Sequence, residues 1–388
     1  MNEPIVDVRA LFQKTFGTAP SVVARAPGRV EVLGNHTDYN EGVVLSAAIN
    51  REICVAAGPA GPGGGFELVS SHFADPVRLD IVEKQPGGRA WANYPMGVWQ
   101  VLRDSGYPVT PFRLAVCGNV PLGAGVSSSA ALEVSTVLAL CRLGAFDIER
   151  TKLARICQKA ENEFVGMKCG LLDQFSSLFG KAGHLLFIDF RTLAHKTVAI
   201  PDPDLGLVIS LSGVAHSLVE SAYNDRRREC FGAAAHFNRN DPSVKTLRDV
   251  TPERYLRAEA SMDPLFFKRG RHIVGENDRV SRAIAMLERG DLTGFGSLLY
   301  ESHESSRCCF ENSVPQLDEL VQIARATPGV LGSRLTGGGF GGATLTVLRR
   351  QAVAGFEKAV TAPGGNRTGR HTTVHVAQIA DGASVVSD

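Results

Sequence analysis

Glycine in this 388-residue chain is gathered into clusters, and that constrains its fold more than any other feature. Five of the seven residues from Thr336 to Gly342 are glycine, inside apolar flanks. Gly118, Gly123 and Gly125 lie in the segment Gly118 to Ser129, between a strand-like and a helix-like run. Glycine weakens the interior of helices and strands, and it is suited to backbone that must turn sharply or approach a ligand closely. A third cluster, Gly58 to Gly65, mixes glycine with proline and reads as a surface loop.

Composition narrows the class. The chain is 44% hydrophobic, enough apolar surface to offset the entropy of ordering. Lys and Arg number 41 against 40 Asp and Glu, so no net field recruits nucleic acid or an anionic membrane. No stretch approaches the roughly 20 apolar residues that span a bilayer. The opening residues carry early acids and no apolar run, so no secretory leader is expected there. Eight sparse cysteines without a Cys-x-x-Cys pair read as reduced thiols in a cytoplasmic protein.

Strand-like runs at 21–26, 30–33, 42–55, 66–71, 77–82 and 112–116 dominate the first part of the chain. Helical patterns follow at 91–104, 130–143, 151–164 and 171–179, with a strand at 184–190. A composition shift falls at Pro201-Asp202-Pro203. Beyond it come a strand at 206–212, helical patterns at 217–235, 281–289, 291–306 and 317–326, and strands at 330–335, 343–348 and 373–378. The class is α+β with mixed or antiparallel sheets, divided into 1–205 and 206–388.

Three segments carry chemistry. Pro121 to Ala130 places Gly123, Gly125 and the serines Ser127, Ser128 and Ser129 at a helix start. Unpaired N–H groups and the positive helix end suit a nucleotide phosphate there. Neither a Walker A lysine nor a Gly-x-Gly-x-x-Gly spacing is present. Arg25 to Asn40 puts Asn35, His36, Asp38 and Tyr39 within five residues, a donor–acceptor set suited to a polyol. Asp173 sits in an apolar helical start, where an acid needs a partner such as Arg29 and can orient or remove a hydroxyl proton. Glu161, twelve residues earlier, is a candidate magnesium ligand. Read singly, a helix cap, a polar turn and a solvated acid account for the same residues.

Taken together, the segments resemble the GHMP small-molecule kinases and, within them, the galactokinases. The resemblance rests on Pro27 to Leu45, Pro121 to Ala130 and Thr336 to Gly342, in the family's order. Cys169 to Phe175, Tyr223 to Arg227, Glu301 to His303 and Pro315 to Asp318 extend it. It implies a two-lobed fold: an N-terminal mixed-sheet lobe like ribosomal protein S5, a C-terminal antiparallel lobe with helices, and the active site in the cleft. It implies a kinase that uses ATP and Mg²⁺ to phosphorylate the anomeric hydroxyl of galactose. Asp173 would be the acid–base residue, with Arg29 beside the transferred phosphoryl group. Whether Asp173 takes the proton or only orients the hydroxyl is left open. Gly123, Gly125, Ser127 and Ser128 would cradle phosphates, and Ser129 and Glu161 would hold the metal. His36, Asp38, Gly170 and Tyr223 would meet the sugar, and Gly338 and Gly339 would approach sugar and phosphates. The expected partners are the sugar and ATP, without nucleic acid or membrane, and the expected state is a monomer or weak homo-oligomer.

One departure stands out. Where galactokinases usually read Gly-Arg-x-Asn-Leu-Ile-Gly-Glu-His-x-Asp-Tyr, this chain has Glu31 in place of the Asn and Asn35 in place of the Glu. In the family that Glu reaches the sugar's 6-hydroxyl, so Asn35 is expected at the C6 end of the site. Arabinose, N-acetylgalactosamine or a heptose is therefore the alternative substrate, and a non-catalytic sugar and ATP sensor is the alternative from another class.

Overall fold

The structure is a computed structural model, described for residues 4–61, 63–121, 125–214, 219–362 and 372–386. Helix α1 (Pro4–Phe16) leads into strands β1 (Val22–Leu33), β2 (Val43–Pro59), β3 (Phe66–Ser70) and β4 (Phe73–Leu79). Helix α2 (Asn93–Asp104), strand β5 (Phe112–Gly118) and helices α3 (Ser128–Leu143), α4 (Arg150–Lys159) and α5 (Leu172–Phe179) follow. Strands β6 (His184–Asp189), β7 (His195–Ala199) and β8 (Leu205–Leu211) precede helices α6 (Val219–Asn238), α7 (Pro252–Leu256), α8 (Pro264–Glu288), α9 (Leu292–Ser305) and α10 (Pro315–Ala326). Strands β9 (Val330–Thr336) and β10 (Ala343–Arg349), helix α11 (Val353–Thr361) and strands β11 (Val374–Ala377) and β12 (Ser384–Val385) complete the order.

The first sheet runs β12-β1-β2-β5-β3-β4, with β6 also on β2 and β7 on β6. It is mixed, because β3 and β5 are parallel while the other pairs are antiparallel. Its residues alternate between two cores, as a period of two requires. Val55, Ala57, Leu114 and Val116 face the core shared with α2, α3, α4 and α5. Cys54, Ala56, Ala115 and Cys117 face Val8 and Phe12 of α1. A sheet covered on both faces reads as continuous apolar runs.

The second sheet is antiparallel, in the order β11-β8-β10-β9. Val208 and Leu348 pack on α10 and α11, while Leu207, Ile209, Leu345 and Val347 join the core of the first sheet. The change of sheet falls between β7 and β8, and β12 returns to pair with β1. One mixed and one antiparallel sheet, each packed with helices, make the class α+β.

Several elements differ from the sequence reading, among them α7, β7 and β12, which lie where no element was expected. The runs at 21–26 and 30–33 are one strand, whose register shifts between Pro27 and Arg29. Helix α1 lies where no helix was expected, although Ile5, Val8, Phe12 and Phe16 repeat at helical spacing. Helix α8 starts 17 residues before the expected 281, because buried Arg269, His272 and Glu276 interrupt its apolar face.

Candidate active site

The register shift in β1 is where the site begins. Gly28 lies so close to the loop before α3 that an added Cβ would stand 2.7 Å from the Val126 carbonyl. The Arg29 N–H donates to that same carbonyl at 3.1 Å. The bulge thereby aims the Arg29 side chain into the space between β1, α3 and α5. There Arg29 Nε and Nη2 donate to Asp173 Oδ1 at 2.9 and 2.6 Å, and Nη1 donates to the Gly125 carbonyl at 2.7 Å. Ser127 Oγ donates to the other carboxylate oxygen, Asp173 Oδ2, at 2.5 Å. The Asp173 side chain remains 26% exposed against 8% for Arg29, so the acid is the more accessible of the pair.

Ser127 caps α3 with a φ of 63°, and Gly125 has a φ of 70°. Both are left-handed, a conformation that turns successive N–H groups toward one point. Ser128 and Ser129 open the helix. Gly123 lies outside the described residues. An added Cβ on Gly337 would stand 3.3 Å from the Gly125 carbonyl, so the two distant glycine clusters meet. Gly337 and Gly339 have φ values of 77° and 80° and admit no ordinary side chain without strain.

Glu161 stands in the π-helical turn that ends α4 and is buried. Cys169 Sγ and Gln174 Nε2 donate to its Oε2 at 3.1 and 2.9 Å. Burial raises its pKa, and hydrogen bonds from Cys169, Ser129 and Gln174 oppose that rise. Gln174 also donates to Glu133 Oε2 at 3.2 Å, and burial holds the Glu133 carboxyl well above its ordinary range. Glu133 was not singled out from the sequence; the signal was an acid in the middle of an otherwise apolar helix. No group of three or more His, Cys, Asp or Glu suited to a metal lies together among the described residues. The oxygen pair of Ser129 and Glu161 fits Mg²⁺, which takes few protein ligands and completes its shell with phosphates and water.

A cleft of about 610 Å³ is lined by Asp38, Gly170, Tyr223 and Arg227. An added Cβ on Gly170 would overlap the Asp38 carboxylate, so glycine there makes room for the acid. Burial and the nearby Asp173 charge push Asp38 up to about 6. Tyr223 on α6 packs its ring 5.1 Å from His36 and 5.5 Å from Tyr39. A separate cavity of about 360 Å³ beside Ile200 and Val353 touches none of the site residues, and its Asp202 is paired with Arg349.

Asn35 and His36, expected on the sugar side, make their side-chain hydrogen bonds within the protein. His36 has a φ of 60° and its ring is buried among Tyr39, Tyr223 and Phe310. Burial lowers it to about 4, so it is neutral at physiological pH. Its Nε2 lies 3.0 Å from the Gly338 carbonyl, which can only accept, so the proton is on Nε2. Nδ1 then accepts from the Tyr39 hydroxyl at 3.0 Å. Asn35 is 1% exposed and spends its amide on Glu31, Gly337 and Asn312. Gly338 and Gly339 pack beside Tyr223 and Asn312. Asn312, Glu276 and Arg334 were not found from the sequence: Glu276 accepts from the N–H groups of Gly34 and Asn35, Asn312 donates to Asn35 Oδ1, and Arg334 donates to the Val32 carbonyl and pairs with Glu31.

Three family models match the chain: the galactokinase galactose-binding signature over 10–59, the GHMP kinase N-terminal domain over 93–181 and the GHMP kinase C-terminal domain over 283–366. A galactokinase of Homo sapiens is 41% identical over 394 residues, covering 99% of this chain and 97% of the relative. A galactokinase of Roseiflexus sp. is 39% identical over 383 residues, covering 98% and 97%. The crystal structure of Lactococcus lactis galactokinase complexed with galactose superposes with a TM-score of 0.91 at 32% identity, covering 98% of this chain and 99% of that one. A mevalonate kinase shares the fold at a TM-score of 0.64 and 15% identity. No helix among the described residues is long and apolar enough to cross a membrane. An acid held between an arginine and a serine at a glycine-lined helix start, in a chain alike end to end with these relatives, identifies it as a member of the galactokinase family of the GHMP kinases.

Proposed function

We propose that this chain is a galactokinase, transferring the γ-phosphoryl group of ATP to the anomeric hydroxyl of galactose. The observation that carries the reading is the Asp173 carboxylate, oriented by Arg29 on one oxygen and Ser127 on the other, beside the helix start of α3. The anomeric hydroxyl donates to Asp173, which receives its proton as the new O–P bond forms. The bond from the γ-phosphorus to the bridging oxygen breaks, and ADP leaves with the electron pair. Arg29 lies where it offsets charge on the transferred group, and the N–H groups after Ser127 receive the phosphate chain. Ser129 and Glu161 would hold Mg²⁺, which when bound neutralises phosphate charge. Asp38, Gly170 and Tyr223 form the sugar side of the cleft. The lobes are 1–205 and 206–388, with the final strand returned to the first sheet.

A coupled assay of ADP release across galactose, arabinose, N-acetylgalactosamine and a heptose tests the reading. Galactose is expected to give the highest kcat/KM. Turnover of another sugar without turnover of galactose overturns the substrate, and binding of sugar and ATP without any turnover leaves a sensor.

A further inference from the structure

Glu31, Asn35 and Asn312 form a buried chain that runs from β1 across the sugar loop into the second lobe. They are 4%, 1% and 0% exposed. Asn35 Nδ2 donates to Glu31 Oε1 and to the Gly337 carbonyl, both at 2.8 Å. Asn35 Oδ1 accepts from Asn312 Nδ2 at 3.0 Å, and Asn312 Nδ2 also donates to the Gly338 carbonyl at 3.2 Å. Arg334 Nη2 lies 3.2 Å from Glu31 Oε1 and supplies the charge partner of the acid. The main chain of Asn35 is tied as well: its N–H donates to Glu276 Oε2 at 2.9 Å, and its carbonyl lies 3.2 Å from His272 Nε2.

Both amide N–H groups of Asn35 are therefore committed to protein acceptors, and no donor remains for a ligand. Those bonds span 302 and 277 residues of sequence; the first ends on the loop that also receives His36, and the second on Asn312, which itself donates to that loop at Gly338. We propose that Asn35 is a positioning residue. It forms the amide half of a carboxylate–amide pair with Glu31 and clamps the sugar loop to the Thr336–Gly338 loop, without itself reading the sugar. The proposal rests on the sugar-kinase reading for what the clamp positions, but not for the pair. A carboxylate at position 35 has no N–H to give to Gly337 and would face Glu31 at hydrogen-bond distance, acid against acid in a buried site. Exchanging the two residue types keeps one acid and one amide.

The test compares wild type, Asn35→Ala, Asn35→Glu and the exchange Glu31→Asn with Asn35→Glu. Each is measured by Tm and by KM and kcat for galactose and 6-deoxygalactose. Asn35→Ala is expected to raise KM by the same factor for both sugars, roughly tenfold, with the rest of the cost of three lost hydrogen bonds appearing in Tm, and with KM for ATP unchanged. Asn35→Glu is expected to do worse, and the exchange to recover part of that loss in both Tm and KM, because it restores the acid–amide pair but not the donor to Gly337. A loss confined to galactose overturns the proposal, because it means Asn35 meets the 6-hydroxyl. A lowered Tm with unchanged kinetics on both sugars overturns it too, as does an exchange no better than Asn35→Glu alone. Wild-type turnover of neither sugar strikes the functional reading instead, and the Tm comparison then decides the pair by itself.

Discussion

At the scale of single residues, the site is built by fixing side chains before any ligand arrives. Asp173 is held on both oxygens, so its carboxylate plane is set by Arg29 and Ser127. Positioned acid–base groups contribute about 10²–10⁴-fold in rate. Asp173→Asn keeps the shape and the acceptor toward Arg29 but loses the proton-accepting oxygen. We expect kcat to fall by about that factor while galactose affinity, read by calorimetry, stays close to wild type. Full residual kcat in this variant removes Asp173 from the proton transfer. His36 shows the opposite economy: both ring nitrogens are used inside the protein, and its burial keeps it neutral.

At the scale of elements, glycine decides how closely segments approach. The Cys169–Leu171 turn before α5 passes over Asp38 with no room for a Cβ on Gly170. Gly170→Ala must push the turn or the carboxylate aside. Misplacement on the scale of an ångström costs on the order of 10²-fold. We expect kcat/KM for galactose to fall by that order with KM for ATP near wild type. An equal rise in KM for both substrates would mean the turn does not act through Asp38. Helix α1 illustrates a different element-scale rule. Val8 and Phe12 cover the face of the first sheet opposite α3, and that face exists only because β1, β2 and β5 are assembled side by side.

At the scale of the whole molecule, buried ionisable groups set the acid response. His36 and His272 are lowered by burial to about 4 and 3, from an ordinary 6.5. The unfolded chain protonates them below 6.5 and the folded chain does not, so they remove stability as pH falls. Glu31 and Asp38 are raised by burial to about 7 and 6, and Glu133 and Glu161 are raised as well. These acids keep protons in the folded state that the unfolded chain releases above its ordinary carboxyl range. Their contribution runs against the histidines between pH 7 and about 5. Below about 4.5 the unfolded acids are protonated too and stop opposing. Glu276, held below the usual carboxylate range by Arg279 and Arg334 against its burial, then joins the histidines. We expect Tm not to fall between pH 7 and 5, and to drop steeply below about 4.5. A steep loss already between pH 7 and 5.5 would show that the buried acids are ionised when folded.

The sequence by itself determined the local machinery. The glycine clusters, the serine helix start, Asp173, Arg29 and the α+β alternation of elements are legible because each depends on neighbours a few residues away. Local sterics, helix ends and periodicity act over that range. Only the tertiary structure decided which groups spend their hydrogen bonds inside the protein. Asn35 and His36 read as ligand groups in the sequence because Glu31 and Tyr39 are their only near partners. Their acceptors at 337 and 338 and the donor at Asn312 are some 300 residues away. Glu276 and Arg334 stayed unnoticed for the same reason. A buried charge is defined by what surrounds it in space, and sequence spacing carries no record of that.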